Sequence, residues 1–93
     1  MKILAVCGMG IGTSVLLKTN AEKAAQDLGL DADVEIADIG TARGAAVTAD
    51  VVLTSGELAA ELGDVGIPVV VVDNFVDGTE IREKLGAAVG RQA

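Results

Sequence analysis

The sequence predicts an α/β protein, a three-layer sandwich with helices on both faces of a four-stranded parallel sheet. Short apolar, β-branched runs alternate along the chain with segments of helical periodicity. Most of these runs are apolar throughout, as in strands that are covered on both faces. The 93 residues are 51% hydrophobic, which excludes disorder, and the length predicts one domain over residues 1–93.

Four strands are predicted, at Lys2–Val6, Val34–Asp38, Val51–Thr54 and Ile67–Val72. The first, third and fourth are continuously apolar, whereas the second alternates, with Val34 and Ile36 on its inner face, and suits a sheet edge. Right-handed crossovers and this length favour the flavodoxin-like order 2-1-3-4. Ligands are then expected at the carboxyl ends of the strands, where the order reverses beside the first strand.

The first predicted helix covers residues 14–28 and ends before Gly29, a favourable residue for a helix C-terminus. The residues on its inner face are Leu17, Ala21, Ala24 and Leu28. A short helix is predicted near residues 41–47. A third helix covers residues 56–62, with Ser55 as its cap and Gly63 as its end.

The fourth predicted helix has the clearest start. Asp77 is followed three positions later by Glu80, which resembles a capping box, and Glu80 and Lys84 are spaced for an i,i+4 ion pair. The core-facing residues of this helix are Ile81, Leu85 and Ala88.

Composition excludes several classes of function. The net charge of −7 argues against a nucleic acid or an anionic membrane as partner, and Phe75 is the only aromatic residue, which argues against base stacking. The absence of histidine excludes Cys-His catalysis, histidine-ligated zinc and a phosphohistidine carrier. One cysteine allows no internal disulfide, and no apolar run is long enough for a signal peptide or a bilayer span, so a cytoplasmic protein is expected.

The most informative segment follows the first strand and reads Cys7, Gly8, Met9, Gly10, Ile11, Gly12, Thr13, Ser14. A glycine-rich loop before a helix can turn its backbone N–H groups inward and hold a phosphoryl group. The glycines also suit a plain tight turn, and their spacing fits neither the Gly-x-Gly-x-x-Gly nor the Walker A pattern. The lone Cys7 favours the functional interpretation, because a helix N-terminus and loop amides should lower its pKa and make it a nucleophile.

Low-molecular-weight tyrosine phosphatases carry Cys-x5-Arg-Ser at the same place on a similar fold, and their Arg stabilises the transferring phosphoryl group. In this chain Thr13 stands where that Arg would be. Hydrolysis should therefore be poorly assisted, which favours a phosphocysteine that waits for an acceptor.

The segment from Ile3 to Ser14 resembles the start of enzyme IIB components of the bacterial phosphotransferase system, within the lactose, ascorbate and galactitol family and closest to the ascorbate and galactitol types. The resemblance implies that Cys7 accepts a phosphoryl group from a phosphohistidine of a IIA protein. It also implies that residues 8–14 bind the phosphoryl oxygens and that a membrane IIC protein holds the sugar that finally receives the group. No cofactor, no metal and no membrane insertion are implied.

Other polar residues have weaker claims on the site. Thr54, Ser55 and Asp73 lie at the carboxyl ends of the third and fourth predicted strands and are expected near the border of the site. A helix cap also suits Ser55, and a turn with Asn74 suits Asp73. Asp38 is interpreted as a strand-end or turn residue, and Phe75 as a core residue or loop anchor. Arg43 and Lys18 are interpreted as solvated surface residues, with attraction of phosphate or of the partner as the alternative. Two alternatives stay open, a Cys-dependent phosphatase and a regulatory protein on the same fold.

Overall fold

The computed structural model describes the backbone of residues 1–8 and 11–90 and the side chains of residues 1–8 and 14–89. In chain order the elements are β1 (Lys2–Val6), α1 (Ile11–Asp27), β2 (Asp33–Ala37), α2 (Ala42–Ala46), β3 (Val51–Thr54), α3 (Gly56–Leu62), β4 (Val69–Val71) and α4 (Gly78–Gly90). The predicted alternation of strands and helices is confirmed.

The strands form one parallel sheet in the order β2-β1-β3-β4, as predicted. β1 is central, with Lys2 opposite Asp33 of β2 and Ile3 opposite Val51 of β3. After β1 the chain forms β2 on one side of β1, and it then crosses over to form β3 on the other side. The strand order therefore reverses beside β1. The residues that follow β1 lie at the carboxyl ends of the strands, where α/β sheets bind ligands.

Helices cover both faces of the sheet because β1 and β3 are apolar on both faces. Alternate residues of β1 point to opposite sides. Ile3 and Ala5 pack under α1 and α4, whereas Leu4 and Val6 pack in the cluster that contains Leu62 of α3 and α2 residues. The two apolar clusters make the central strands the best protected part of the sheet.

α1 begins three residues earlier than predicted and ends as a Schellman motif. Gly29 has a φ of 72°, its N–H donates to the Gln26 carbonyl at 3.0 Å, and the Leu30 N–H donates to the Ala25 carbonyl at 2.8 Å. The prediction that Leu28 faces the core is wrong, since its side chain is exposed. The left-handed turn at Gly29 returns the chain so that Leu30 packs against the core instead.

The two edge strands are less buried than their sequences predict. Ile36 of β2 is exposed although Val34 is buried, and Val71 of β4 is exposed too. β4 spans three residues instead of the six predicted, because only Val69–Val71 pair with β3. Each outer strand has a neighbour on one side only, so its side chains have fewer atoms around them.

The predicted caps of α3 and α4 are confirmed, with one correction. The Ser55 hydroxyl accepts the Leu58 N–H at 3.3 Å, and Gly63 ends α3 with a φ of 68°. The Asp77 carboxylate accepts the N–H groups of Thr79 and Glu80, both at 3.1 Å. α4 then buries Ile81 and Leu85 completely, as predicted.

The correction concerns Glu80, which does not close a capping box with Asp77. Its carboxylate accepts the N–H groups of Asp73 at 2.8 Å and Asn74 at 3.0 Å, and the Lys84 ammonium lies 2.6 Å away. The hydrogen bond from Lys84 and those two backbone N–H groups lower the pKa of Glu80 to about 2. Glu80 thus holds the segment between β4 and α4 against the start of α4.

Candidate functional site

Cys7 lies at the carboxyl end of β1, as the sequence predicts. Its N–H donates to the Ala37 carbonyl of β2 at 3.1 Å, which extends the ladder by one residue beyond the strand. The side chain belongs to the apolar cluster beneath α1 and α4 and is 5% exposed. The thiol is therefore fixed at the switch point of the sheet with little freedom to move.

Ser14 lies in the first turn of α1 and forms a side-chain hydrogen bond with the Cys7 thiol. The fold thus joins the first and last residues of the predicted phosphate loop. The backbone of Ile11, Gly12 and Thr13 belongs to the same first turn. Met9 and Gly10 lie outside the described residues, so the prediction that the whole segment binds phosphate stays a prediction.

The expectation of a lowered Cys7 pKa is wrong. Burial raises the pKa of the thiol, and the hydrogen bond with Ser14 only opposes that effect. A thiolate loses its hydration when it is enclosed by apolar side chains, so the neutral thiol is favoured. The sequence argument counted the start of the helix but not the cluster into which Cys7 packs.

A cavity of about 460 Å³ opens beside the thiol. Its lining residues come from four connections and one helix, namely Cys7, Gly8, Ile39, Ser55, Glu57, Leu58, Glu61 and Phe75. Gly8 forms part of the wall with no side chain, and a Cβ there would lie 3.2 Å from Leu58 Cδ2. A larger residue at position 8 would press on the Leu58 side chain, which also lines the cavity.

Sequence reasoning missed Ile39, Glu57, Leu58 and Glu61 as neighbours of Cys7. Glu57 and Glu61 are one helical turn apart, so they share a face of α3. A signal was available, because α3 follows the adjacent strand β3 and begins at the same sheet edge as α1. The sequence does not say which face of α3 turns toward Cys7, since that depends on the packing of Leu62 beneath it.

Thr54 and Ser55 both lie at this edge but act differently. The Thr54 side chain is buried, and its hydroxyl donates to the Val6 carbonyl at 3.0 Å. Thr54 therefore holds in place the peptide group that joins Val6 to Cys7. Ser55 caps α3 and also lines the cavity, so its two interpretations are compatible.

The segment that follows β4 supplies the opposite wall of the cavity. Asn20 of α1 donates from Nδ2 to the Phe75 carbonyl at 2.8 Å, and Phe75 packs against the core, which confirms it as a loop anchor. Asn74 makes the predicted turn, since its Oδ1 accepts the Val76 N–H at 3.1 Å. The carboxylate of the exposed Asp73 lies 3.7 Å from the Lys84 ammonium.

Arg43 is exposed, as predicted, but its guanidinium also makes contacts within the fold. Its Nε donates to the Leu62 carbonyl at 3.1 Å and its Nη2 to the Glu61 carbonyl at 3.5 Å. These acceptors are at the C-terminal end of α3, where helix carbonyls lack partners within the helix, so Arg43 joins α2 to α3. Asp38 makes the predicted turn by accepting the Thr41 N–H at 2.9 Å, and Lys18 is half-buried on α1.

The described part of the chain contains neither a candidate metal site nor a helix that could span a membrane. Among residues 1–8 and 11–90, no group of three or more histidine, cysteine, aspartate or glutamate side chains is placed to hold a metal ion. Within the same ranges, no helix has both the length and the apolar character that a bilayer crossing requires.

Comparison with known proteins gives consistent results. The family model described as "PTS system, Lactose/Cellobiose specific IIB subunit" matches residues 2–87. The "Ascorbate-specific PTS system EIIB component" of Mycoplasma pneumoniae is 36% identical over 86 residues, which covers 91% of this chain and 90% of that protein. The ascorbate relative agrees with the resemblance seen in the sequence.

Two solved structures share the fold. The cellobiose-specific phosphotransferase IIB component of Borrelia burgdorferi superposes with a TM-score of 0.63 at 30% identity, covering 97% of this chain and 89% of that one. The lactose-specific IIB component domain of Streptococcus pneumoniae gives a TM-score of 0.61, with coverage of 100% and 98%. At 16% identity, the second comparison bears on the fold alone.

Proposed function

Given that the chain belongs to the IIB subunit family of the phosphotransferase system, we propose that Cys7 carries the phosphoryl group as a phosphocysteine. The IIB role is that of a phosphocarrier in sugar uptake. The single observation that supports Cys7 is its position, with a thiol at the switch point, hydrogen-bonded to the first turn of α1 and facing a cavity. No other residue of the 93 is a cysteine.

The donor in this proposal is a phosphohistidine on a IIA protein. The sulfur of Cys7 attacks phosphorus in line, an S–P bond forms, and the N–P bond to the histidine breaks. The thiol proton passes to the departing imidazole nitrogen, so the step needs no further reactant. Because burial raises the pKa of the thiol, its proton has to leave sulfur as the S–P bond forms, and the imidazole nitrogen is the base that receives it.

Residues 8–14 are the proposed cradle for the phosphoryl oxygens. The first turn of α1 contains no acidic side chain, so nothing in it repels an anion. Thr13 and Ser14 would add hydroxyl donors to the backbone N–H groups. Ser14 is already beside the sulfur that would carry the phosphoryl group.

In the second half of the proposed cycle, a sugar hydroxyl oxygen attacks the phosphocysteine. The O–P bond forms, the S–P bond breaks, and the hydroxyl proton restores the thiol. A membrane IIC protein would hold that sugar, so this chain would work in the cytoplasm as one domain over residues 1–93. The ascorbate-specific relative makes ascorbate the first substrate to test and galactitol the second.

The test is intact mass after incubation with phosphoenolpyruvate, purified enzyme I and HPr, and separate IIA proteins of the ascorbate, galactitol, cellobiose and lactose types. We expect one added phosphoryl group on the wild type with its own type of IIA protein, and none on Cys7→Ser. The adduct should be labile to iodine, as a thiophosphate is.

Two results would overturn the proposal. An adduct that survives in Cys7→Ser would place the phosphoryl group on another residue. An unmodified wild type, beside a control IIB protein that the same mixture phosphorylates, would reject the phosphocarrier assignment of Cys7. Hydrolysis of p-nitrophenyl phosphate that depends on Cys7 would then favour the phosphatase alternative.

A further inference from the structure

The cavity that Cys7 lines shares part of its lining with a second depression. The 460 Å³ cavity beside the thiol and a second cavity of about 280 Å³ both include Ser55 and Phe75. The second is lined further by Leu16 of α1 and by Asp73, Asn74 and Val76 of the segment before α4. The two depressions are therefore neighbours, and a protein that docks over Cys7 can reach both.

The α3 side of this surface is acidic. Glu57 and Glu61 line the Cys7 cavity from an exposed helix face, one turn apart. None of the ion pairs found among the described residues involves either of them. Two carboxylates beside a phosphoryl acceptor are unfavourable on their own, because an incoming phosphoryl group is itself negatively charged.

The opposite side of the surface is apolar. Leu16 is 47% exposed and Val76 is 59% exposed, and both flank Phe75. Large apolar side chains exposed beside a functional cavity are typical of a protein interaction site. These residues are apolar in a chain whose net charge is −7.

We propose that these five residues, Leu16, Glu57, Glu61, Phe75 and Val76, form a two-sided docking rim for the phosphohistidine-bearing donor protein. The inference rests on the function proposed above. The donor would place an apolar side chain in the depression between Leu16 and Val76. It would also place a lysine or arginine against Glu57 and Glu61.

Charge complementarity selects this occupant. A cation on the donor compensates Glu57 and Glu61 and offsets the charge of the phosphoryl group as it approaches Cys7. A donor whose rim is acidic would meet two like charges and be rejected, so the pair sets partner choice. On the apolar side, burial of Leu16 and Val76 would stabilise the complex in proportion to the area removed from water, and this contribution does not depend on the charge of the donor.

The test measures initial rates of Cys7 phosphorylation against the concentration of the phosphorylated IIA protein of the ascorbate type, or of whichever IIA type serves the wild type. For Glu57→Lys/Glu61→Lys we expect KM to rise by about tenfold or more, with kcat nearly unchanged and a reduced dependence on salt. For Leu16→Ser/Val76→Ser we expect KM to rise by roughly five- to tenfold, without a change in salt dependence.

Matched controls lie away from the rim. Glu22→Lys changes charge in the same way on an exposed part of α1 that borders a different cavity. Val47→Ser removes an apolar side chain that is 82% exposed at the end of α2, near the opposite edge of the sheet. Alkylation of Cys7 by iodoacetamide needs no docking, so its limiting rate at high pH, where the thiol is ionised in every protein, should be equal in the wild type and in all four variants.

The outcomes separate this inference from the proposed function. If the wild type is phosphorylated and Glu57→Lys/Glu61→Lys behaves as Glu22→Lys does, the docking rim is wrong while the Cys7 carrier stands. A fall in kcat with slower alkylation would mean that the rim residues shape the thiol site, which also overturns docking. Normal acceptance with slow delivery to the IIC protein would assign the rim to the permease instead of the donor.

Discussion

α1 and α4 pack against each other on the same face of the sheet, yet they begin in different ways. The first N–H groups of α4 are occupied by Asp77, and Glu80 binds the segment before the helix. The first turn of α1 has no acidic residue, and its Ser14 contacts the Cys7 thiol. The start of α4 is therefore occupied by carboxylate side chains of the chain itself, whereas the first turn of α1 has no carboxylate that would repel an anion.

The difference has an electrostatic reason. The N-terminus of a helix carries a partial positive charge, and an acidic side chain in the first turn compensates that charge. In α4 the Asp77 carboxylate interacts with that charge and stabilises the start of the helix. A phosphoryl group held beside Cys7 can gain from the start of α1 only if no carboxylate of the chain competes for it.

The largest expected effect comes from giving α1 the kind of start that α4 has. Ser14→Asp should slow phosphorylation of Cys7 by about a hundredfold or more, because like charges placed together cost several kcal/mol. Thr79→Asp, the matched change in the first turn of α4, should leave the rate unchanged. Equal rates for both variants, with circular dichroism spectra like the wild type, would break the contrast between the two helices.

The next effect tests whether α4 supports the fold. Leu85 is completely buried, so Leu85→Ala should lower the free energy of unfolding by about 2–5 kcal/mol. Urea denaturation at 25 °C gives the value, with Leu85→Val as a milder variant if alanine prevents folding. The rate of Cys7 phosphorylation at low temperature should stay near that of the wild type, and a large fall there would tie α4 to the chemistry.

Removal of the α4 cap should have a smaller effect. Asp77→Ala loses the two hydrogen bonds to N–H groups of the first turn and should destabilise by about 1 kcal/mol. Asp77→Asn keeps an acceptor oxygen and should recover most of the loss. Thermal unfolding of the three proteins measures this, and no difference between alanine and asparagine would assign the effect to charge alone.

Glu80 makes the stability of the α4 start dependent on pH. Its pKa of about 2 in the folded protein lies below the value of about 4.3 expected when unfolded, so ionised Glu80 stabilises the fold above pH 4.3. That contribution is lost as the pH falls toward 2. Glu80→Gln should thus lower the Tm at pH 7, and its gap from the wild type should narrow on acidification; a gap that is constant with pH would contradict this origin.

The smallest effect concerns the thiol itself. Burial should keep the midpoint of the alkylation rate of Cys7 above the free-thiol value of about 8.5. Since the hydrogen bond from Ser14 lowers the pKa, Ser14→Ala should move the midpoint further upward. A midpoint below 8.5 in the wild type would restore the activated thiolate that the sequence suggested.

Much of the fold could be predicted because its signals are local. Each of these signals depends on residues only a few positions apart. They are the apolar runs of β1 and β3, the helix caps at Ser55 and Asp77, and the helix end at Gly29. Contacts between residues far apart in the sequence could not be predicted in this way. Arg43 is exposed, as predicted, but it also donates to carbonyls of α3 about twenty positions further along the chain.

The strand order and the position of the single cysteine at the switch point could be predicted from the sequence, because β-α alternation and one cysteine leave few alternatives. The surroundings of Cys7 depend on the tertiary structure. It enclosed the thiol in an apolar cluster, which raises the pKa, and it turned Glu57 and Glu61 toward the cavity. The physical reason is that burial and facing depend on how whole elements pack, and that packing sums contacts from every part of the chain.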